Sequence, residues 1–294
     1  MSVQTFGQLR ACAYGTGDHA VIVVHGGPAA PGSARGLALG LAGSFRVIEP
    51  WQRGSEDEPL TVARHVEDLH SVVEAVSESG EPSLVGHSWG AMLALAYAAE
   101  HPDSVGPVAL VGCGTFDLES RARYVEIRKE RETDELRGQL AQLREEITDP
   151  GELLTRRYEL SHCIDHYDTI PDTGDPFDEP YPPFDSVAHG QTWQDMIRLQ
   201  AEGVYPAALS AIRRPVMMLH GAYDPHPGRM IHASLQPHIP HLEYTEWERC
   251  GHTPWEERYA REGFFECLVD WLEEKGRGNR ETQKVRKGER ESRL

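Results

Sequence analysis

The chain is poor in cysteine: Cys12, Cys113, Cys163, Cys250 and Cys267 are the five among 294 residues. They are odd in number and widely spaced, which excludes a dense disulfide framework, and no Cys-x-x-Cys pair suggests a zinc or redox site. No apolar run approaches the roughly 18 residues that a membrane-spanning helix needs. The first ten residues hold Gln4, Thr5, Gln8 and Arg10 in place of the apolar stretch of a secretory signal, so a cytoplasmic protein is expected. Basic charge is also scarce, with 29 Lys and Arg against 47 Asp and Glu and a net charge of −18. Such a balance argues against nucleic acid as the main partner, because phosphate binding needs basic surface, and it favours solubility. Internal repeats are absent. What is present is enough apolar material, 39% of residues, for a sizeable core.

Charge is distributed unevenly. From Lys275 to Leu294 there are eight Lys or Arg against three Glu, a net of +5 that leaves −23 for the rest. This tail has few aliphatic side chains with which to offset the entropy of ordering, so a mobile basic tail is expected at 275–294, with an electrostatic tether as the alternative. Residues 116–205 hold 21 acids against ten bases. Tyr124 to Ile147 reads as charged helix, and Pro171 to Asp185 as a loop dense in Pro and Asp. Outside this stretch, short β-branched runs recur at Ala20–Val24, Phe45–Glu49, Ser83–Val85, Pro107–Val111, Pro215–Leu219 and Leu242–Glu246. Helical spacing separates them, with Val62, Val66, Leu69, Val73 and Val76 on one face and a second helix at Trp89–Glu100. Apolar strands alternating with helices predict an α/β fold with a mostly parallel sheet covered on both faces. The expected division is a core at 1–115 and 206–274, with a helical cap at 116–205 inserted before the penultimate core strand.

The strongest local signal is Gly86-His87-Ser88-Trp89-Gly90, which follows a predicted strand and opens a predicted helix. Gly-x-Ser-x-Gly in that context fits a tight strand-to-helix turn that lifts the Ser88 hydroxyl above the sheet. A hydroxyl is a weak nucleophile at neutral pH and needs a base. Asp224 follows the penultimate predicted strand and His252 the last one, where open parallel sheets build their sites. The order Ser88, Asp224, His252 suits a nucleophile, an orienting acid and a base. An Asp-Pro turn and a surface-loop histidine are the plain alternatives. The backbone N–H groups of Gly27, in His25-Gly26-Gly27-Pro28, and of Trp89 are the candidate oxyanion donors.

These motifs resemble those of the α/β-hydrolases, and more narrowly the prolyl aminopeptidase (proline iminopeptidase) group. His25-Gly26-Gly27-Pro28 matches that group's early loop, with Ala29-Ala30-Pro31 intervening before Gly32. Gln52-Arg53-Gly54-Ser55 matches its next motif, with Trp51 and Glu56 departing from it. At the elbow His87 replaces a glycine. The resemblance implies an α/β-hydrolase fold and cofactor-free hydrolysis of an ester, amide or similar acyl bond in a small molecule or short peptide. For the narrower group it implies acidic cap residues that hold a free amine, for which Asp195 in Trp193-Gln194-Asp195 is the nearest candidate. Trp193, Tyr205 and Tyr181-Pro182-Pro183-Phe184 are candidates to line the substrate cleft. Release of N-terminal proline and non-catalytic sensing of a small ligand are the alternative functions. His162 and His166, four apart with Cys163 between them, would share a helix face, but no third ligand is evident and no metal is expected.

Overall fold

The computed structural model describes residues 2–77, 80–171 and 181–291, with side chains described as far as Gly276. Residues 172–180 of the expected Pro- and Asp-dense loop lie outside the described residues. Eight strands form one sheet: β1 (Ser2–Phe6), β2 (Leu9–Tyr14), β3 (Ala20–Val24), β4 (Arg46–Pro50), β5 (Ser83–His87), β6 (Val108–Val111), β7 (Val216–Gly221) and β8 (Leu242–Trp247). Their spatial order is β1-β2-β4-β3-β5-β6-β7-β8. The first two strands form a hairpin that joins β4 antiparallel, and every later pairing is parallel.

Period-2 alternation sends the side chains of each parallel strand to opposite faces. Ile22, Val24, Leu84, Val108, Leu110 and Met218 enter one apolar cluster, whereas Val21, Val23, Val85, Ala109, Val111 and Leu219 enter the other. The first cluster is closed by α2 (Val62–Val76) and α3 (Trp89–Glu100), the second by α1 (Arg35–Leu41) and α10 (Arg261–Glu291). Trp89 to Ala98 of α3 are all buried. A helix apolar on every side has to sit inside the core, and this one runs directly out of the Ser88 turn. At the N-terminus of α2, the Thr61 hydroxyl accepts from Arg64 N at 3.1 Å, a cap worth about 1 kcal/mol.

Between β6 and β7 lie α4 (Leu118–Arg131), α5 (Asp134–Glu146), α6 (Pro150–Leu160), α7 (His162–Asp165) and α8 (Ser186–Ala201). Among the described residues this segment holds no strand, only an isolated bridge between Thr169 and Glu257. The single helix expected over Tyr124–Ile147 is instead two. Glu132 and Thr133 take extended backbone, and the Thr133 hydroxyl accepts from Leu136 N at 3.1 Å, starting α5 afresh. A threonine followed by two acids is a helix start, and here it outweighs the continuous charge pattern. After β7 comes α9 (Gly228–Leu235), and α10 runs on through much of the basic segment. Side chains from residue 277 on lie outside the described residues. Among the described residues no helix is long and apolar enough to cross a membrane.

Candidate active site

β4 and β5 flank β3 on opposite sides, so the chain switches direction across the sheet at this point. That leaves a crevice beyond the strand ends, where sites of open α/β sheets form. The turn after β5 brings Ser88 there with φ 55° and ψ −118°. Such a backbone is costly for a residue with a side chain and is held only by its surroundings. A Cβ on Gly86 would lie 2.2 Å from Gly90 O, and one on Gly90 would lie 2.1 Å from Val24 O. Only glycine fits at either place, which explains both flanking glycines of the motif.

Three short motifs meet around this turn. The Trp89 indole donates to Gln52 Oε1 at 2.9 Å, and Gln52 Nε2 donates to His25 O at 2.9 Å. Gln52 N donates to His25 Nε2 at 3.1 Å, so the proton of the ring sits on Nδ1, which reaches Gly26 O at 2.8 Å. Burial pushes His25 down to about 4, in keeping with this neutral imidazole. Arg53 closes the network with a two-pronged pair to Asp68, at 2.5 and 2.6 Å. The Gly26-Gly27 loop is thereby fastened to the elbow. Trp89 is the first residue of α3, so its N–H has no partner within the helix.

Asp224 and His252 approach from the loops after β7 and β8. The Asp224 side chain is fully buried and accepts from His252 Nδ1 at 2.7 Å. It also accepts from His226 N and His226 Nδ1, both at 2.9 Å. His220 Nε2 lies 3.2 Å from the same carboxylate and 2.9 Å from His226 O. Burial opposes ionisation of Asp224, but the surrounding His252, His226 and His220 hold it well below the usual carboxylate range. Burial likewise disfavours the His252 cation, yet the Asp224 charge and hydrogen bond outweigh it and raise His252 above the ordinary histidine value. His226 stacks against His252 with ring centroids 4.7 Å apart, and His87 packs at 4.7 Å. His87 is buried, and its Nε2 donates to His252 O at 3.2 Å. His87 thus helps to wall the imidazole.

Ser88, His252, Gly27, Trp193, Tyr124 and His226 line one cavity of about 990 Å³. Among the described residues no hydrogen bond yet joins Ser88 Oγ to His252. Tyr181, Pro182 and Phe184 also line the cavity, whereas Asp195 and Tyr205 do not. Asp195 instead accepts from Val62 N at 2.8 Å and pairs with Arg198 at 2.7 Å, capping α2 from α8. Tyr205 packs against Phe116. Among the lining residues that the sequence reading did not single out is Arg121, whose guanidinium donates to the neutral Gln200 Oε1 while its buried Nε has no hydrogen-bond partner.

A buried carboxylate ties the α7 end of the helical segment to the loop of His252. Glu257 accepts from Tyr167 N at 2.8 Å, Asp168 N at 2.8 Å and Gly251 N at 2.9 Å. His252 N itself donates to Asp165 O at 2.8 Å. His220, His226 and Glu257 were hidden among 15 histidines and 47 acids. Only the His220-x3-Asp224-x-His226 spacing around the acid could have marked the first two.

The eight-stranded, mostly parallel sheet with helices on both faces has the architecture of the α/β-hydrolase fold. Residues 21–262 match the alpha/beta hydrolase family, and the chain belongs to it. It is similar to a solved serine hydrolase involved in carbazole degradation, at 20% identity and TM-score 0.61, covering 92% of this chain and 98% of that one. E-2-(acetamidomethylene)succinate hydrolase is similar at 19% identity and TM-score 0.59, covering 90% and 95%. Over 106 residues the chain is 27% identical to the cis-3-alkyl-4-alkyloxetan-2-one decarboxylase of Shewanella oneidensis, a match that spans 33% of each protein.

Proposed function

We propose that the protein is a serine hydrolase that cleaves an ester, amide or similar acyl bond in a small molecule, with residues 116–205 acting as a cap over the site. The observation that carries this reading is the 2.7 Å bond between His252 and buried Asp224, on a ring that faces the same cavity as Ser88. As substrate enters, Ser88 Oγ attacks the acyl carbon and His252 Nε2 takes its proton. Catalytic hydrogen bonds often tighten only at this stage. Asp224 keeps the Nδ1 proton in place and stabilises the imidazolium, and the Gly27 and Trp89 N–H groups receive the oxyanion. The imidazolium then protonates the leaving group. Water, deprotonated by the same ring, releases the acid and restores Ser88.

Arg121 favours substrates that carry a carboxylate, because its half-buried guanidinium lines the cavity near the acid Asp117, donates its side-chain hydrogen bond to a neutral amide and leaves Nε without a hydrogen-bond partner that an anion could supply. The aminopeptidase alternative fits less well, since Asp195 is already engaged with Val62 N and Arg198. The test is labelling by a fluorophosphonate probe together with turnover of a short acyl ester and of a prolyl-arylamide. Labelling and ester turnover that vanish in Ser88→Ala support the reading. Equal turnover by wild type and Ser88→Ala refutes it. Absence of labelling in the wild type favours a ligand-binding protein.

A further inference from the structure

We propose that His162, His166 and Glu256 bind one divalent transition-metal ion of the zinc type at the rim of the cavity, bridging the helical segment to the loop that carries His252. All three residues line the cavity, and their ligand atoms lie within 4.8 Å of one another. A tetrahedral ion with bonds of about 2.0–2.2 Å sets its ligand atoms roughly 3.3–3.6 Å apart, so small side-chain rotations close the set. The two rings stack with centroids 3.8 Å apart and planes 10° from parallel, so the exposed His162 ring has to turn to bring its lone pair onto the same ion as His166.

The hydrogen bonds fix which atoms are free to bind. His166 Nδ1 lies 2.9 Å from His162 O. A carbonyl only accepts, so the proton is on Nδ1 and the lone pair is on Nε2. That Nε2 is buried, has no hydrogen-bond partner, and lies 3.9 Å from Glu256 Oε2. Glu256 is oriented in turn by the Thr253 hydroxyl, which donates to Oε2 at 2.8 Å. A ring N–H held by a carbonyl and a carboxylate held by a hydroxyl are the outer partners that metal ligands ordinarily keep. Two imidazoles and one carboxylate suit Zn²⁺, Co²⁺ or Ni²⁺ better than Mg²⁺ or Ca²⁺, which prefer oxygen alone. Three protein ligands would leave a fourth to be supplied by water or an anion.

This assignment stands apart from the Ser88 chemistry. A competing set, Asp224, His226 and His252, also has three donor atoms within 4.8 Å, and the test separates the two. Protein stripped with chelator is titrated with CoCl₂, following visible absorption and the thermal midpoint, and ZnCl₂ is then used to displace Co²⁺. One Co²⁺ per chain is expected, with a tetrahedral spectrum and a raised midpoint. His162→Ala, at an exposed position, and Glu256→Gln should each weaken binding at least about tenfold, and Thr253→Val by about 10–100-fold. Ser88→Ala and His226→Ala should bind as wild type does. Circular dichroism of the metal-free variants checks their folding. The proposal is overturned if Co²⁺ does not bind stoichiometrically, or if binding survives His162→Ala but is lost in His226→Ala.

Discussion

Replacing Glu257 with glutamine or alanine should loosen the tie between the helical segment and the loop of His252 without disturbing the sheet. The Glu257 side chain is fully buried, and its two oxygens take three backbone N–H groups from two separate segments. Oε1 serves Tyr167 and Gly251, and Oε2 serves Asp168. In the better glutamine rotamer the amide oxygen keeps the first pair, and the NH₂ group then faces the Asp168 N–H, donor against donor. One charge-assisted bond, worth roughly 1.5–3 kcal/mol, is lost, and a part-buried donor is left without an acceptor. The expected destabilisation is about 2–4 kcal/mol, and Glu257→Ala should exceed it because all three donors lose their acceptor. Gly251 precedes His252 directly, so in Glu257→Ala, which also frees Gly251 N, the imidazole moves with the loop, and kcat on an ester should fall by about 10–100-fold. Urea unfolding at unchanged m, together with ester kinetics, measures both effects. A Glu257→Gln protein within about 0.5 kcal/mol of wild type, or a Glu257→Ala protein with the wild-type kcat, would refute the reasoning.

The remaining predictions concern protons and charge. His252 must be neutral to act as base, and its Asp224 partner raises it above the ordinary histidine range, so kcat/KM should fall on acidification with a midpoint above about 6.5. Asp224→Asn should move that midpoint down, and a pH–rate profile with an unshifted limb would count against the pairing. Glu49 is buried and pushed up to about 7 from 4.5 by that burial. The folded chain therefore binds more protons than the unfolded chain between those values, and stability falls as pH rises through that window, by at most about 3 kcal/mol. Glu49→Gln should flatten this part of the curve of unfolding free energy against pH. Arg121→Gln should raise KM roughly tenfold for an ester bearing a free carboxylate, an order of magnitude typical of one lost charge-assisted bond. A neutral ester of the same size should be unaffected, and equal losses on both would remove Arg121 from substrate recognition.

The parallel strands were legible in the sequence because burial on both faces leaves near-continuous β-branched runs, as in Ala20–Val24. The elbow was legible because its glycines answer a local steric demand. The β1–β2 hairpin was not, since its outer strand is mostly exposed and shows no apolar alternation. Helix α1 also escaped notice, because Gly36 and Gly40 lower its helical propensity. Their reason lies elsewhere in the chain: a Cβ at Gly36 would come within 2.8 Å of Trp255, and one at Gly40 within 1.9 Å of Phe265. At the candidate site, short-range patterns pointed to Ser88, Asp224 and His252. Asp195 was misplaced because a cap and a substrate ligand look alike in sequence. Glu256 and Glu257 became visible only through contacts with residues some 90 positions away.

Asp224 and His252 hang from neighbouring strands, β7 and β8, which are paired over six residues from Val216↔Leu242 to Gly221↔Trp247. Ser88 hangs from β5, with β6 between. The two halves of the proposed machinery are therefore hung on different ladders of unequal length. Gentle heating or mild denaturant that shears the middle of the sheet would uncouple the hydroxyl from an imidazole–carboxylate unit still intact, so turnover should fade ahead of any spectroscopic sign of melting.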